Sequence, residues 1–344
     1  MKALIGMSGG VDSSVAVYLT MQAGYTCIGG TMLLHDGAEA SVPDAKAVAD
    51  RLGIPFHVFD LSQKFRELVI ADFIGCYERG LTPNPCIVCN RHLKFGIFLD
   101  IAREMGCDHV VTGHYAQITE ENGRFLLKKA ADEAKDQTYF LYTLTQDQLA
   151  HTLFPLGSLT KAEAREIAQA QGFINAKKQD SQDICFVPDG DYLAFMQGYT
   201  GKQYQSGNYL DLQGNVVGKH KGAVGYTLGQ RKGLGLAMGA PVYVCAKDMA
   251  ANTVTVGPNE ALFHTALRAN DWNWISIPAL TEPIRVMAKA RSRMKEEPAT
   301  VYPEENGSAR VVFDTPQRAI TPGQAVVLYD GDTVVGGGTI TEVL

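Results

Sequence analysis

The chain has 344 residues, of which 46% are hydrophobic and 20% are charged. This length exceeds what one hydrophobic core usually organises, so we expect two or three domains, and the composition excludes a disordered or low-complexity protein. The net charge of -6 excludes a protein that coats nucleic acid by bulk electrostatics, but it allows local basic patches.

The cysteines indicate the compartment in which the protein works. Seven cysteines, odd in number and unevenly spaced, do not match a secreted disulfide framework. The apolar stretches fall short of the roughly 20 residues that span a bilayer, and the apolar run at the amino terminus is brief. We therefore expect a cytoplasmic protein with reduced thiols and no membrane partner.

The first part of the chain alternates apolar strands with helical patterns. A short apolar run ends at Gly6 and is followed by a glycine-containing loop and by apolar residues at helical spacing up to Gly24. This alternation is typical of a doubly wound parallel sheet. The predicted strands cover residues 2–5, 25–34, 56–61 and 108–112, and the further predicted helices cover residues 44–52, 63–79 and 91–105.

The pattern changes after this region. The Asn-Gly pair at 122–123 predicts a hairpin, and helices are predicted at residues 137–151 and 161–171. The second helix begins with a capping box, because Thr160 is followed three residues later by Glu163.

Short β-rich runs separated by Gly, Asn and Pro dominate from about residue 201 onward. A break near residue 258 separates two such regions. We expect an α/β catalytic domain over residues 1–196, a central β-rich domain over residues 197–262 and a C-terminal β-barrel over residues 263–344.

The loop after the first strand has the sequence Ser8-Gly9-Gly10-Val11-Asp12-Ser13. Adjacent glycines let the backbone approach a phosphate closely, the hydroxyls donate hydrogen bonds, and the helix start adds amides and a positive dipole end. The loop lacks the ending of a Walker motif and also lacks GxGxxG, which disfavours hydride transfer on NAD. It resembles the pyrophosphatase loop of ATP-dependent adenylating enzymes, which include amidotransferases and RNA sulfurtransferases.

Cys86 and Cys89 form a CxxC pair on a proline-stiffened loop that leads into the helix predicted from Arg91. Because the dipole of a helix stabilises thiolates near its amino end, we expect lowered thiol pKa values and reactive sulfur. A CxxC pair by itself is equally compatible with a redox pair, half of a zinc site or incidental cysteines.

A third candidate thiol, Cys185, follows a polar stretch in which Lys177 and Lys178 favour a thiolate or bind phosphate. The other cysteines lie in apolar or strand-like contexts, where packing is their usual role. These unassigned cysteines are Cys27, Cys76, Cys107 and Cys245.

Seven segments together resemble the tRNA-specific 2-thiouridylase family nearly from end to end: residues 6–14, 82–95, 112–115, 135–142, 180–186, 226–235 and 321–324. The resemblance implies an α/β domain of the PP-loop ATP pyrophosphatase type followed by two mainly-β domains, of which the central one binds tRNA. It also implies that ATP, with Mg²⁺, adenylates the wobble uridine of tRNA at its 2-oxygen. Sulfur from a cysteine persulfide then displaces AMP, giving 2-thiouridine, so we expect tRNA and a sulfur donor as partners, and a monomer.

The resemblance also carries site residues. Cys185 resembles the persulfide carrier and Cys89 the second, nucleophilic cysteine. The residues implied around ATP are Gly6, Met7, Ser8, Gly9, Gly10, Val11, Asp12, Ser13, Met32 and Gly113. The residues implied in contact with tRNA are Asn84, Pro85, Cys86, Lys135, Asp136, Gln137, Arg291 and Ser292.

The sequence departs from the common family pattern at two positions, since Cys86 stands where most members have Asp and Asp183 stands where most have Gly. Cys86, Cys89 and Cys185 can supply three corners of a [4Fe-4S] cluster, which leaves one iron free to bind sulfide as in cluster-dependent tRNA thiolases. A persulfide relay and a cluster mechanism both remain open.

Two further features concern RNA and the nucleotide. Lys289, Arg291 and Arg293 alternate, so on a strand they share one face and can meet successive phosphates, although an ordinary solvated face has the same pattern. His114 follows a predicted strand at the edge where α/β proteins bind ligands, and we interpret it as a structural histidine.

Two other classes of protein remain as alternatives. An amidotransferase or ligase can use the same loop, but it does not need Cys89 and Cys185. A tRNA-binding or iron-sulfur protein that uses ATP only as an effector does not need Asp12 for its function.

Overall fold

The computed structural model describes residues 1–176, 178 and 184–344. The strands of the first half are β1 (Lys2–Gly6), β2 (Thr26–Leu33), β3 (Phe56–Asp60), β4 (His109–Val111), β5 (Gln117–Glu121), β6 (Arg124–Lys128) and β7 (Thr152–Leu153). The α-helices are α1 (Val11–Gln22), α2 (Val42–Leu52), α3 (Ser62–Phe65), α4 (Ala71–Glu78), α5 (Pro85–Cys89), α6 (Phe98–Glu104), α7 (Gln146–Ala150), α8 (Lys161–Ala170) and α9 (Tyr192–Thr200).

The first half is built on a five-stranded parallel sheet in the order β3-β2-β1-β4-β7. Ala3 and Ile5 of β1 belong to the core on one face of the sheet, whereas Leu4 packs with Phe98 on the other face. The strand order reverses at β1, which pairs with β2 on one side and with β4 on the other. The predicted doubly wound sheet is confirmed, and its switch point, where such folds bind ligands, lies at the end of β1.

The helix that carries the CxxC pair begins earlier than predicted. It starts at Pro85 and continues as a π-helical segment (Asn90–Ile97) into α6, so that both cysteines lie in its first turns and not on a loop. Proline suits the first helical position because it lacks the N–H that would have no partner there. A second π-helical segment (Arg66–Ile70) similarly joins α3 to α4, where one helix is predicted.

The prediction of a helix over residues 137–151 is wrong. The chain forms a 3₁₀ turn (Thr138–Phe140) and the short helix α7, which Thr145 caps. The carbonyls between them are bound by side chains from other elements: Asn90 Nδ2 donates to Phe140 O, and Asn273 Nδ2 donates to the carbonyls of residues 142 and 144. These tertiary hydrogen bonds replace the helical ones.

Two local predictions are confirmed. β5 and β6 form a hairpin in which Asn122 and Gly123 have φ values of 53° and 75°. Both angles lie in the left-handed region that this kind of two-residue turn requires. At the start of α8, Thr160 and Glu163 form the capping box.

The second half consists of two β structures. The central one has β8 (Gly207–Leu210), β9 (Val216–His220), β10 (Tyr243–Asp248) and β11 (Thr253–Gly257), in the order β10-β11-β8-β9. The last has β12 (Phe263–Trp274), β13 (Ile284–Lys289), β14 (Glu297–Pro303), β15 (Ala309–Arg318), β16 (Ala325–Asp330) and β17 (Thr333–Val343). Pairing of β12 with β17 closes the order β12-β15-β14-β13-β16-β17 into the expected barrel.

The barrel is joined closely to the first half. Tyr139 and Tyr142 share a buried cluster with Ala325 and Tyr329 of the barrel, and Tyr139 donates a hydrogen bond of 2.9 Å to Ala325 O. The three-domain division stays a prediction; α9 runs across the predicted boundary at 196, and β12 begins at 263. Within the described ranges, no helix is long and apolar enough to cross a membrane.

Candidate functional site

The loop after β1 is held by hydrogen bonds to its own backbone. Gly9 has a φ of 67°, and a Cβ there would lie 2.5 Å from Ser41 O, so only glycine fits. The carbonyl of Gly9 accepts bonds from Asn175 Nδ2 at 3.1 Å and from Lys178 Nζ at 3.2 Å. The amide of Ser8 donates to Ser13 Oγ at 3.2 Å. The loop is therefore shaped in advance for a ligand at the start of α1.

Asp12 is neutralised from the other side of this loop. Lys161 Nζ lies 2.8 Å from both carboxylate oxygens of Asp12, and Tyr115 donates its hydroxyl to one of them at 2.9 Å. Lys161 stands at the start of α8, where the sequence signals only a helix cap. The pair shows how α8 fixes the orientation of the Asp12 side chain toward the loop.

A cavity of about 240 Å³, which we call the nucleotide cavity, opens beside the loop at the carboxyl end of β1. Gly113 packs against the start of α1 so closely that a Cβ would lie 2.7 Å from the carbonyl carbon of Asp12. Gly9, Gly10 and Val11 support the loop and do not line the cavity. Seven of the residues implied around ATP line it: Gly6, Met7, Ser8, Asp12, Ser13, Met32 and Gly113.

The three candidate thiols meet in a second cavity of about 540 Å³, which we call the thiol cavity. Cys86, Cys89 and Cys185 all line it, and Ser8 and Met32 line both this cavity and the nucleotide cavity. The structure therefore brings the phosphate loop and the CxxC pair into one space with Cys185, which lies about a hundred residues after the pair in the sequence. Lys177, with its predicted role, and Asp183, where the sequence departs from the family pattern, lie outside the described residues.

The expectation of lowered thiol pKa values is wrong. Removal of solvent by neighbouring atoms raises the pKa of Cys86 and Cys185 and raises that of Cys89 to about 11. Desolvation raises the pKa of a thiol because it penalises the charged form directly. The positive charge of Lys94 opposes this effect at all three thiols.

Within residues 1–176, 178 and 184–344, no group of three or more His, Cys, Asp or Glu side chains is arranged to hold a metal ion. All seven cysteines are free thiols. Cys86, Cys89 and Cys185 share a cavity, and a [4Fe-4S] cluster at these three thiols stays a prediction.

A third cavity, of about 420 Å³, which we call the base cavity, shares Pro85, Cys86 and Lys94 with the thiol cavity. Asn84, Pro85, Cys86 and Gln137 line it, so it contains half of the residues implied in contact with tRNA. The cavity also reaches the barrel side of the molecule, where Arg293 contributes to its wall.

Two of the other implied tRNA contacts, Asp136 and Arg291, have structural partners of their own. Asp136 accepts hydrogen bonds from Ala130 N and from the hydroxyl of Thr138, and burial raises its pKa. Arg291 donates to Leu228 O at 3.0 Å and to the hydroxyl of Thr321. Because β13 ends at Lys289, Arg291 and Arg293 do not lie on one strand face with it, and that prediction is wrong.

His114 has a structural environment, as we interpreted it, and it also borders two cavities. Its Nδ1 lies 2.7 Å from the hydroxyl of Thr112, and its ring packs against Phe95 and Phe154. Burial, with a smaller contribution from the charge of Lys94, holds its pKa well below the ordinary value. The ring is therefore neutral at physiological pH. It lies in the wall between the nucleotide cavity and the base cavity.

Sequence reasoning missed Lys94 and Asn175 as well as Lys161. One signal for Lys94 was available, because Cys86, Asn90 and Lys94 follow each other at steps of four residues, the spacing of one helix face. Asn175 and Lys161 carried no such signal, since their partners, Gly9 and Asp12, lie about 150 residues away.

The phosphate loop at the switch point of a parallel sheet, with thiols in the adjoining cavity, defines an ATP pyrophosphatase of the α/β class that carries sulfur chemistry. Family models match along almost the whole chain: the tRNA methyl transferase HUP domain over residues 1–189, the tRNA methyl transferase PRC-barrel domain over residues 193–258 and the aminomethyltransferase beta-barrel domain over residues 264–340. The chain belongs to the tRNA-specific 2-thiouridylase family.

Two relatives illustrate the relationship. The tRNA-specific 2-thiouridylase MnmA of Clostridioides difficile (strain 630) is 50% identical over 356 residues, which cover 100% of this chain and 99% of the relative. The tRNA-specific 2-thiouridylase MnmA of Acetivibrio thermocellus is 49% identical over 354 residues, which cover 98% of this chain and 99% of the relative. The resemblance inferred from the motifs is confirmed.

Proposed function

We propose that this chain is a tRNA 2-thiouridylase, in which ATP activates the wobble uridine and a cysteine persulfide replaces its 2-oxygen by sulfur. The observation that carries the proposal is the meeting of three cavities: one beside the phosphate loop, one that contains the thiols and one lined by Asn84 and Pro85. A nucleotide, a sulfur carrier and a splayed-out base each have a place, and the places adjoin one another.

In the first step, the 2-oxygen of the uridine attacks the α-phosphorus of MgATP. The new O–P bond forms as the bond from the α-phosphorus to the bridging oxygen breaks, and pyrophosphate leaves with the electron pair, while the uridine loses its N3 proton. We expect Ser8, Ser13 and the amides at the start of α1 to bind the departing pyrophosphate, because a helix start offers N–H donors and the positive end of its dipole. Mg²⁺ enters with the substrate, since Asp12 is already paired with Lys161.

In the second step, the terminal sulfur of a Cys185 persulfide attacks C2 of the adenylated uridine, and AMP leaves with the electron pair of the C2–O bond. The thiolate of Cys89 then attacks the Cys185 sulfur of the resulting uridine–cysteine disulfide. A Cys89–Cys185 disulfide forms, and 2-thiouridine is released. An external thiol reduces this disulfide, and a donor that carries persulfide sulfur reloads Cys185.

We prefer this relay to a cluster because it needs only two thiols, Cys185 as the carrier and Cys89 as the nucleophile, and both line one cavity. In the relay, Cys86 lines both the thiol cavity and the base cavity, and it does not hold the sulfur atom that is transferred. The free thiols and the need for an external reductant support a reaction in the reducing cytosol.

Mass spectrometry of nucleosides tests the proposal. Wobble-uridine tRNA is incubated with MgATP, a persulfide donor, a thiol reductant and anaerobically purified protein, and pyrophosphate is measured in parallel. For C89A and C185A we expect roughly 100-fold less 2-thiouridine with pyrophosphate release retained, and for C86A a loss of less than about tenfold. C245A, which removes a thiol of β10, is the matched control and should behave as the wild type.

Two results would change the conclusion. Loss of 2-thiouridine in all three variants, together with stoichiometric iron and acid-labile sulfide in the wild type, would replace the relay by a cluster. Absence of 2-thiouridine with every sulfur source would refute the function itself.

A further inference from the structure

One side chain borders all three cavities of the site. Lys94 projects from the π-helical segment that follows Cys89, and it lines the nucleotide cavity, the thiol cavity and the base cavity. Among the residues that the structure describes, no other is common to the three linings. Ser8 and Met32 belong to two of them, and so do His114 and Gln137.

Lys94 brings a positive charge to the junction of the three cavities. Its side chain is half-buried, and within the part of the chain that the structure describes no carboxylate forms an ion pair with it. The contrast with Lys161 is clear, since that ammonium lies 2.8 Å from both oxygens of Asp12. A half-buried ammonium with no carboxylate partner among the described residues is stabilised when a ligand or a reacting group supplies negative charge.

The proposed function supplies two such charges at this point. The α-phosphate has to lie between the nucleotide cavity and the base cavity while it is transferred, because it bonds first to ATP and then to the uridine. The sulfur that displaces AMP has to come from the thiol cavity to C2 of the uridine, the carbon whose oxygen carries the phosphate. The junction of the three cavities is the place through which both the phosphate and the sulfur pass.

We propose that Lys94 is a catalytic residue that binds the α-phosphate during adenylation and AMP departure and stabilises the cysteine thiolate during sulfur transfer. This inference rests on the proposed function. It goes beyond it by assigning one cation to both half-reactions.

The assignment agrees with the chemistry of each step. In adenylation, negative charge grows on the oxygens of the α-phosphate as the bond to pyrophosphate breaks, and an ammonium fixed beside them stabilises that charge without reorganising. In sulfur transfer, the same ammonium stays with the phosphate of the leaving AMP. Its charge also favours the thiolate forms of Cys86, Cys89 and Cys185, against the effect of burial.

Two measurements on K94M and K94R test this role. The first is tRNA-dependent pyrophosphate release without a sulfur donor, for which we expect kcat of K94M to fall roughly 100-fold or more while KM for ATP stays within about threefold. K94R should recover at least about a tenth of the wild-type kcat, because it restores the charge. K46M, which removes an exposed lysine paired with Asp50 on α2, is the matched control.

The second measurement does not require activity. The rate at which iodoacetamide alkylates each cysteine is followed against pH by peptide mass spectrometry, without ATP or tRNA. In K94M we expect alkylation of Cys89 and Cys185 at pH 8 to slow roughly threefold or more, with recovery in K94R. Residues that only support the fold would not shift this pH profile when thermal unfolding is unchanged.

The outcomes separate this inference from the proposed function. An active wild type with K94M at equal kcat and an unchanged alkylation profile would overturn the role of Lys94 and leave the function intact. A wild type that releases no pyrophosphate with tRNA would refute the proposed function and, with it, the phosphate role of Lys94. Slower alkylation in K94M would still support its effect on the thiols.

Discussion

At the scale of single residues, burial controls the chemistry of Cys89. The side chain of Cys89 is 7% exposed, and desolvation raises its pKa to about 11. At neutral pH almost all of it is therefore thiol, although the reactive form is the thiolate. The same desolvation makes a neutralising cation such as Lys94 more effective, because charges interact more strongly where water is excluded.

This environment predicts the pH dependence of sulfur transfer. Because the pKa of Cys89 lies well above 9, its thiolate fraction increases about tenfold for each pH unit between pH 7 and pH 9. We expect the single-turnover rate of 2-thiouridine release from persulfide-loaded protein to increase with it. Pyrophosphate release measured over the same range is the control, since no thiol takes part in that step. A rate that levels off below pH 8 would contradict the raised pKa.

At the scale of elements, one turn of the barrel positions the segment that leads to the cysteines. Gln324 Nε2 donates to Thr82 O at 2.8 Å and to Pro83 O at 3.1 Å, and Thr82 N donates to Pro322 O at 2.9 Å. Gly323 lies at the centre of this contact. The barrel therefore shapes the base cavity through the backbone just before Asn84.

A pair of glycine substitutions tests this contact. Gly323 has a φ of 90°, and a Cβ would lie 2.9 Å from Thr82 N, whereas Gly331 has a φ of 56° and nothing within 4 Å. Alanine at either position is destabilised by about 1 kcal/mol because the backbone there is left-handed. Only G323A also displaces residue 82. We expect G323A to lose roughly tenfold or more of the thiolation rate and about 1–3 kcal/mol of unfolding free energy. G331A should keep the rate, and equal rates in the two variants would argue against positioning by the barrel.

At the scale of the whole molecule, the three parts share buried surface. The 82–84 segment, the Tyr139 cluster and the pairing of β6 with β17 join the first half to the barrel. Arg91 adds an ion pair with Asp271 of β12. A large apolar interface of this kind favours cooperative unfolding over independent domains.

The positions of the tryptophans allow this coupling to be measured. Both tryptophans of the chain, Trp272 and Trp274, lie in β12 of the barrel, whereas the α-helices of the described residues all end by position 200. We expect urea unfolding followed by tryptophan fluorescence and by circular dichroism at 222 nm to give the same midpoint within about 0.2 M. Y139A, which empties the shared cluster, should separate the two transitions. Separate transitions in the wild type would show that the domains unfold independently.

The sequence by itself determined the features that depend on neighbouring residues. Strand and helix periodicity, the glycine loop, the capping box at Thr160 and the Asn-Gly turn all express local preferences, and each is present in the structure. The family relationship followed in the same way, from motifs that are continuous in the chain.

Only the tertiary structure decided what depends on distant partners. Residues 137–151 have a helical pattern, but side-chain amides from other elements bind their carbonyls and break the helix. The thiol pKa values follow burial, which no short segment specifies, and so their direction was predicted wrongly. Lys161, Asn175 and Lys94 belong to the site because folding brings them to the phosphate loop and to the junction of the cavities, and long-range packing of this kind leaves little trace in local sequence.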